Sequence, residues 1–187
     1  MLYTLDELHH AMEPQERKDK SLAARCIDGL TQYAAELRQR GGPEGQAKLP
    51  ALRELVGQLP TYWGLKDEPG GLDESVCQAA FDLRMAEAAA TATPLEATGE
   101  QRSDTVYGLY RYAMDLIPNL GVDAQEDVFG ARDLIRELET WWDFGSPVLD
   151  GLCAEIDQAM AAQAAREAEF DAAGADGHIQ DDGMAMR

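Results

Sequence analysis

The sequence predicts an all-α protein, a compact bundle of about six to seven helices with a flexible C-terminal tail. Ala and Leu dominate the composition, and β-branched residues are scarce, with six Val and five Ile in 187 residues. No stretch alternates apolar and polar residues with the period of two that a half-buried strand would show. Apolar residues instead recur at steps of three and four, and glycine, proline and capping residues separate the segments with this spacing.

The N-terminal half is predicted to contain four helices. A short first helix precedes Pro14, which starts a long second helix that ends at the Gly-Gly-Pro of 41–43. A third helix is predicted over about 50–58, followed by a loop, and a fourth from near Asp73 to the alanine run before Pro94. The second helix carries an apolar stripe that we expect to be buried: Leu22, Cys26, Leu30, Tyr33 and Leu37.

The C-terminal half is predicted to contain the remaining helices. Residues 94–103 are predicted as a loop, and a fifth helix follows it and ends at Pro118. A sixth helix starts near Asp123, and the last runs from Pro147 to about Ala172. The sixth helix has an apolar face that we expect to point into the core: Val128, Ala131, Ile135, Leu138 and Trp142.

Length and periodicity predict a single helical domain over 1–172 and a disordered acidic tail over 173–187. No uncharged apolar run approaches the roughly 20 residues that cross a bilayer, and the N-terminus lacks the basic and then apolar pattern of a signal peptide. Cys26, Cys77 and Cys153 are far apart among apolar residues, which favours buried thiols over disulfides or a zinc site. These features predict a cytoplasmic protein with no membrane partner.

The sequence carries no catalytic motif. It has no phosphate-binding glycine loop, no HExxH and no GxSxG, and only three His. Glu7 and His10 match the Glu-x-x-His spacing of di-iron bundles, with Asp6, His9 and Glu13 nearby, but such sites use this motif twice and here it occurs once. We therefore expect no enzymatic activity, no metal and no cofactor.

The net charge of −19 is the most informative feature of the chain. A small soluble domain needs a net charge of only about 2 to 8 in magnitude, and self-repulsion opposes compactness. The excess is uneven: residues 1–48 hold eight acids and seven bases, and the remaining 139 residues hold 27 acids and nine bases. A charge of this kind fits a basic partner, a high-salt habitat, or a surface that is simply acidic.

On the predicted sixth helix, Glu126, Asp133 and Glu137 fall on the side opposite the apolar face. A rise of 1.5 Å per residue separates them by about 10 and 6 Å along the axis, and the shorter step is close to the spacing of phosphates on a DNA strand. Arg132 and Arg136 flank the row and weaken this imitation. The alternative is an ordinary solvated helix face.

Further candidate partner-binding residues lie elsewhere in the chain. Trp63 falls in a predicted loop, and Tyr112 lies on the side of its helix roughly opposite Tyr110, so we expect it to be exposed. Four acids complete the set: Asp67, Glu68, Asp73 and Glu74.

The favoured function is a non-enzymatic, acidic helical protein that binds the basic surface of a nucleic-acid-binding protein and inhibits it by nucleic-acid mimicry. In charge and size it is similar to small acidic counter-defence inhibitors carried by phages and plasmids, although no motif matches a particular family. Direct binding to nucleic acid is not expected, since phosphates would be repelled. Two alternatives stay open: a structural subunit that forms a helical homo-oligomer, and a salt-adapted protein with no basic partner.

Overall fold

The computed structural model describes residues 20–65, 72–143 and 147–176 of the chain, and this part is helical with no strand. The predicted all-α class is therefore confirmed for these residues. The predicted number of helices is not confirmed, because the first of them falls before residue 20, outside the described residues. The helices are α1 (Lys20–Arg40), α2 (Gly42–Tyr62), α3 (Glu74–Ala90), α4 (Gly99–Leu120), a 3₁₀ helix (Gly121–Ala124), α5 (Gln125–Trp142) and α6 (Pro147–Asp176).

The chain divides into two compact units, Met1–Leu109 and Tyr110–Arg187, with the boundary inside α4. In the first unit α1, α2 and α3 pack against one another in all three pairs. Four residues of the predicted stripe of α1, Cys26, Leu30, Tyr33 and Leu37, are buried in the core of this unit, and the fifth, Leu22, is only partly buried. The prediction of one domain over 1–172 stays a prediction.

Two glycines allow α1 and the N-terminal part of α4 to approach closely. A Cβ atom on Gly29 would lie 1.7 Å from Thr105 Oγ1, and one on Gly108 would lie 2.5 Å from the Cβ of Cys26. The Cys26 thiol donates to the Thr105 carbonyl at 3.5 Å across the same contact. No larger residue fits at either glycine without a shift of one helix, so the approach depends on the absent side chains.

The connection between α3 and α4 is fixed by polar side chains of α1. Gln39 donates through Nε2 to the carbonyl of Thr93 at 3.1 Å and accepts the amide of Leu95 at 2.8 Å. The Glu36 carboxylate is fully buried; it accepts the Ala97 amide at 2.5 Å and a hydrogen bond from Arg40 at 2.9 Å. These bonds satisfy backbone groups that a loop would otherwise leave to water.

In the second unit α5 and α6 pack against each other, and the 3₁₀ helix contacts both. The predicted apolar face of α5 is confirmed in full, since its five residues are all buried. On α6 the buried residues recur at helical spacing up to Met160, and the following turns are mostly exposed. The apolar residues of α6 that are buried are Leu149, Leu152, Cys153, Ile156 and Met160.

Three predicted boundaries are wrong. Helix α2 begins at Gly42, not near residue 50, and it contains both Pro50 and Pro60. Helix α4 begins at Gly99, so the connection before it is shorter than the predicted loop of 94–103. Helix α6 continues to Asp176, beyond its predicted end near Ala172; the tail over 173–187 stays a prediction, and residues 177–187 lie outside the described residues.

Candidate protein-interaction surface

The predicted acidic row on α5 lies on the side of that helix away from its core. Glu126 is exposed, the Asp133 side chain is 64% exposed, and Glu137 is partly buried. The row exists because the apolar residues of α5 keep to one side, which leaves the opposite side to charged residues. Its three carboxylates do not, however, share one electrostatic environment.

Asp133, in the middle of the row, is neutralised by an arginine. Arg132 donates to Asp133 at 2.7 Å and to Asp157 of α6 at 2.6 Å, and its guanidinium lies 4.5 Å from the centre of the Phe129 ring. The hydrogen bond to Asp157 is the main cause of a raised pKa of Arg132, with Asp133 contributing less. Arg136 adds a 3.8 Å contact to Asp157. The predicted imitation of a phosphate row is therefore interrupted at its centre.

Three acids of the second unit that form no ion pair within the described ranges lie one to three turns earlier, where the 3₁₀ helix leads into α5. Asp123, Glu126 and Asp127 are all exposed, and within the described ranges none of them forms an ion pair. Glu126 and Asp127 occupy the first turn of α5, where the partial positive charge of the helix N-terminus favours carboxylates. The three residues are called the acidic turn below.

Exposed apolar residues lie beside the acidic turn. Leu120 is 54% exposed, Val122 is 42% exposed and Phe170 is 81% exposed. The Val122 amide donates to Glu167 Oε1 at 3.3 Å, and Phe170 lies on the same face of α6 one turn after Glu167. We call Leu120, Val122 and Phe170 the apolar patch. This patch was not predicted from the sequence, although Leu120 and Val122 flank Gly121, a residue type that often ends a helix.

Of the two predicted aromatic anchors, Tyr112 was expected to be exposed and is not. Tyr112 is only 6% exposed, which corrects the prediction, and burial, with a smaller contribution from Asp127, raises its pKa. The reason is that α4 has two buried stripes: one contains Val106, Tyr110, Ala113 and Ile117, and the other contains Leu109, Tyr112 and Leu116. Trp63 is partly buried at the end of α2, with its ring edge-on to Tyr62 at 6.2 Å.

The remaining predicted acids have different positions. Asp73 is the N-cap of α3: its carboxylate accepts the Val76 amide at 2.9 Å, so it has a structural role. Glu74 is exposed in the first turn of the same helix and accepts from Gln78 at 3.1 Å. Asp67 and Glu68 lie outside the described residues.

The first unit has an open groove of about 370 Å³ between α1 and α3. Its apolar wall includes Val76 and Leu83, which are 46% and 64% exposed, and Arg84 crosses it to bond Gln32 at 2.6 Å. None of the described acids and aromatics predicted to bind a partner is among the residues that line it, and we assign it no role.

The described part of the chain offers no sign of a metal centre or a membrane span. No group of three or more His, Cys, Asp or Glu side chains within it could hold a metal ion, and the cluster around His9 and His10 lies outside it. None of its helices is both long and apolar enough to cross a bilayer. No family model, curated protein or solved structure compared with the chain matches it.

Proposed function

We propose that this protein is a non-enzymatic, acidic helical binding protein whose partner presents a basic surface. That surface is the nucleic-acid-binding surface of another protein, which this chain occupies as an inhibitor. The observation that supports the proposal is that arginines of this chain are paired with its own carboxylates. Seven arginines of the described part form ion pairs with carboxylates of this chain: Arg25, Arg40, Arg53, Arg84, Arg111, Arg132 and Arg136.

Because these cations are locally compensated, the surplus of the −19 chain remains on exposed carboxylates such as those of the acidic turn. A concentrated negative field accelerates encounter with a basic surface and orients it, and this effect weakens as salt rises. The same field repels phosphates, so a nucleic acid would compete for the partner instead of binding this chain. The free, buried thiols of Cys26, Cys77 and Cys153 support a cytoplasmic setting for the encounter.

The proposal is tested by removing charge at two places in equal amount. The first variant carries Asp123→Asn, Glu126→Gln and Asp127→Asn, which neutralises the acidic turn. The matched control carries Glu44→Gln, Glu54→Gln and Glu100→Gln, three exposed acids of the first unit. Both variants lose three negative charges, so they differ only in where the charge is lost.

Full-length protein is used to capture partners from an extract of its native host at about 0.05 M and about 0.5 M NaCl, with duplex DNA as competitor. We expect a nucleic-acid-binding protein to be retained at low salt and released by DNA. The acidic-turn variant should bind it about tenfold more weakly, and the control should stay within about twofold of wild type. Equal losses in both variants, or no basic partner at low salt, would contradict the proposal.

A further inference from the structure

We propose that the apolar patch is the docking surface for a basic amphipathic segment of the partner, whose apolar side chains cover Leu120, Val122 and Phe170 while its Lys and Arg face the acidic turn. This inference rests on the proposed function, because it assumes that the partner is basic. It adds what a charge argument cannot supply, namely where the apolar part of the binding energy is located.

The patch is unusual because its members are grouped. Single exposed apolar residues are common on soluble proteins, whereas adjacent ones are informative. Three of the five large apolar residues that are exposed in the described part belong to the patch, and the other two are Val76 and Leu83. Phe170 is an aromatic residue, and aromatic residues are enriched in the buried centres of protein interfaces.

The backbone under the patch is held in place. Gly121 has a φ of +60°, and a Cβ atom there would lie 2.0 Å from Glu167 Oε1, so a side chain at this position is doubly excluded. Glu167 also accepts from Gln163 at 2.7 Å, which fixes the carboxylate that receives the Val122 amide. Leu120 and Val122 are therefore presented on a constrained turn, so a partner need not order it.

The charges around the patch select its occupant. The acidic turn lies on one side, and Glu169 is exposed next to Phe170, whereas Arg166 is the basic residue nearest to Phe170 along α6. A second copy of this chain would bring two acidic turns together, and an anionic membrane would be repelled. A segment with apolar residues on one side and Lys or Arg on the other complements both parts of the surface.

The test uses full-length, isotope-labelled protein and a synthetic peptide of Leu and Lys, about 18 residues or five helical turns long, with its Leu on one face. A scrambled peptide of the same composition and a Leu–Glu peptide of the same pattern serve as controls. We expect the amphipathic basic peptide to shift the amide resonances of residues 120–123 and 167–170 at low salt. The scrambled peptide should bind at least about fivefold more weakly, and the Leu–Glu peptide should not bind.

Substitutions then separate the apolar patch from charge. Phe170→Ser should weaken the peptide about tenfold and leave the far-UV circular dichroism unchanged, because the ring is 81% exposed. Phe170→Leu should restore most of the affinity. Leu83→Ser, at a 64% exposed apolar residue of the first unit, is the matched control and should have an effect within about twofold.

The outcomes distinguish this inference from the function it rests on. If neither basic peptide binds at low salt, the proposed basic partner is wrong. If they bind but Phe170→Ser matches wild type, or the resonance shifts lie elsewhere, the docking surface is wrong and the proposed function stands. Dimerisation in sedimentation runs, or binding to anionic vesicles, would overturn the docking surface if Phe170→Ser abolished it.

Discussion

At the scale of single residues, two glycines of the first unit face a neighbouring helix where a side chain would not fit. Gly29 of α1 faces Thr105 of α4, and Gly108 of α4 faces Cys26 of α1. Small residues allow two helix backbones to pack closely, which increases the number of dispersion contacts between them. A closely packed interior has little room for an added group. A methyl group is therefore a sensitive probe of this contact.

Gly108→Ala is expected to destabilise the protein by about 1 to 3 kcal/mol, because the new Cβ would lie 2.5 Å from the Cβ of Cys26 and 2.6 Å from its Sγ. Gly130→Ala on α5 is the control: nothing lies within 4 Å of its added Cβ, so relief of the glycine entropy should stabilise by about 0.5 to 1 kcal/mol. Urea unfolding followed at 222 nm measures both. If Gly108→Ala left the free energy of unfolding unchanged, α1 and α4 would be able to move apart with little loss of stability.

Asp82 provides a residue whose titration depends on one partner. Arg53 donates to both of its carboxylate oxygens at 2.7 Å, and these hydrogen bonds, followed by the charge of Arg53, lower the pKa of Asp82. Since the folded pKa is below the unfolded one, the stabilisation is present above the ordinary pKa of an aspartate and is lost as pH falls through the lowered value.

Arg53→Gln should raise the pKa of Asp82 toward the ordinary value, and a titration of the carboxyl carbon by NMR measures it. The stability of the variant should depend less on pH below about pH 5, where aspartates titrate. An unchanged Asp82 titration in Arg53→Gln would rule out the ion pair in solution.

At the scale of elements, α1 organises the first unit by fixing a connection as well as by packing. Gln39 and Glu36 lie one turn apart on α1, and together they hold Leu95 and Ala97 through their amides. Buried polar groups of this kind stabilise only when their partners are present, because an unsatisfied donor costs about 1 to 3 kcal/mol. The connection from α3 to α4 is thus an ordered part of the fold, although it is neither helix nor strand.

Gln39→Ala should accelerate hydrogen exchange of the Leu95 amide by at least about tenfold, since its acceptor is removed. The Ala97 amide, which is bonded to Glu36, is the internal control and should keep its protection. Residue-resolved exchange by NMR provides the comparison. Equal acceleration at both amides would mean that the two contacts open together.

At the scale of the whole molecule, repulsion among the surplus negative charges destabilises the folded state. The internal ion pairs are mostly solvent-accessible and contribute little each, so they do not offset repulsion among the surplus carboxylates. Repulsion between exposed charges is screened within about 10 Å at 0.1 M salt. The way in which stability depends on salt should therefore distinguish a protein that is acidic because it binds a basic partner from one that is adapted to high salt.

Raising NaCl from about 0.02 M to about 0.5 M should increase the Tm by several degrees, because the repulsion of a −19 chain is screened while apolar burial persists. Circular dichroism at 222 nm during heating measures this. The protein should already be folded at the lower salt. Folding only in molar salt would favour the salt-adapted alternative, and a falling Tm would show that the ion pairs outweigh the repulsion.

The sequence predicts which side of a helix is buried where the spacing of apolar residues determines it, and not where packing against several other elements does. The buried faces of α1 and α5 follow from spacing alone, since the apolar residues lie on one side of each helix. Tyr112 could not be placed in this way, because a helix buried on two sides has a second stripe that spacing from the first does not reveal.

The boundaries and the candidate surface show the same limit. Pro50 has no amide to donate within α2, and a proline inside a helix is normally predicted to end it, yet the helix continues through it. Glu126 was identified from the sequence as an exposed acid, and the structure places it there. Phe170 was not, because α6 has no apolar spacing beyond Met160 that would mark which side is free.

The burial of every thiol has a practical consequence. Cys26, Cys77 and Cys153 are at most 3% exposed, and burial is the main cause of the raised pKa of each. We therefore expect the native cysteines of the folded protein not to react with maleimides, because the thiolate is the reactive form. A single cysteine introduced at an exposed position such as Glu169 would carry a fluorophore beside Phe170 without removal of the native ones. The three native thiols become reactive on unfolding, so the extent of their reaction with maleimide measures the unfolded fraction. The fluorescence of the label beside Phe170 measures how much of the apolar patch is occupied.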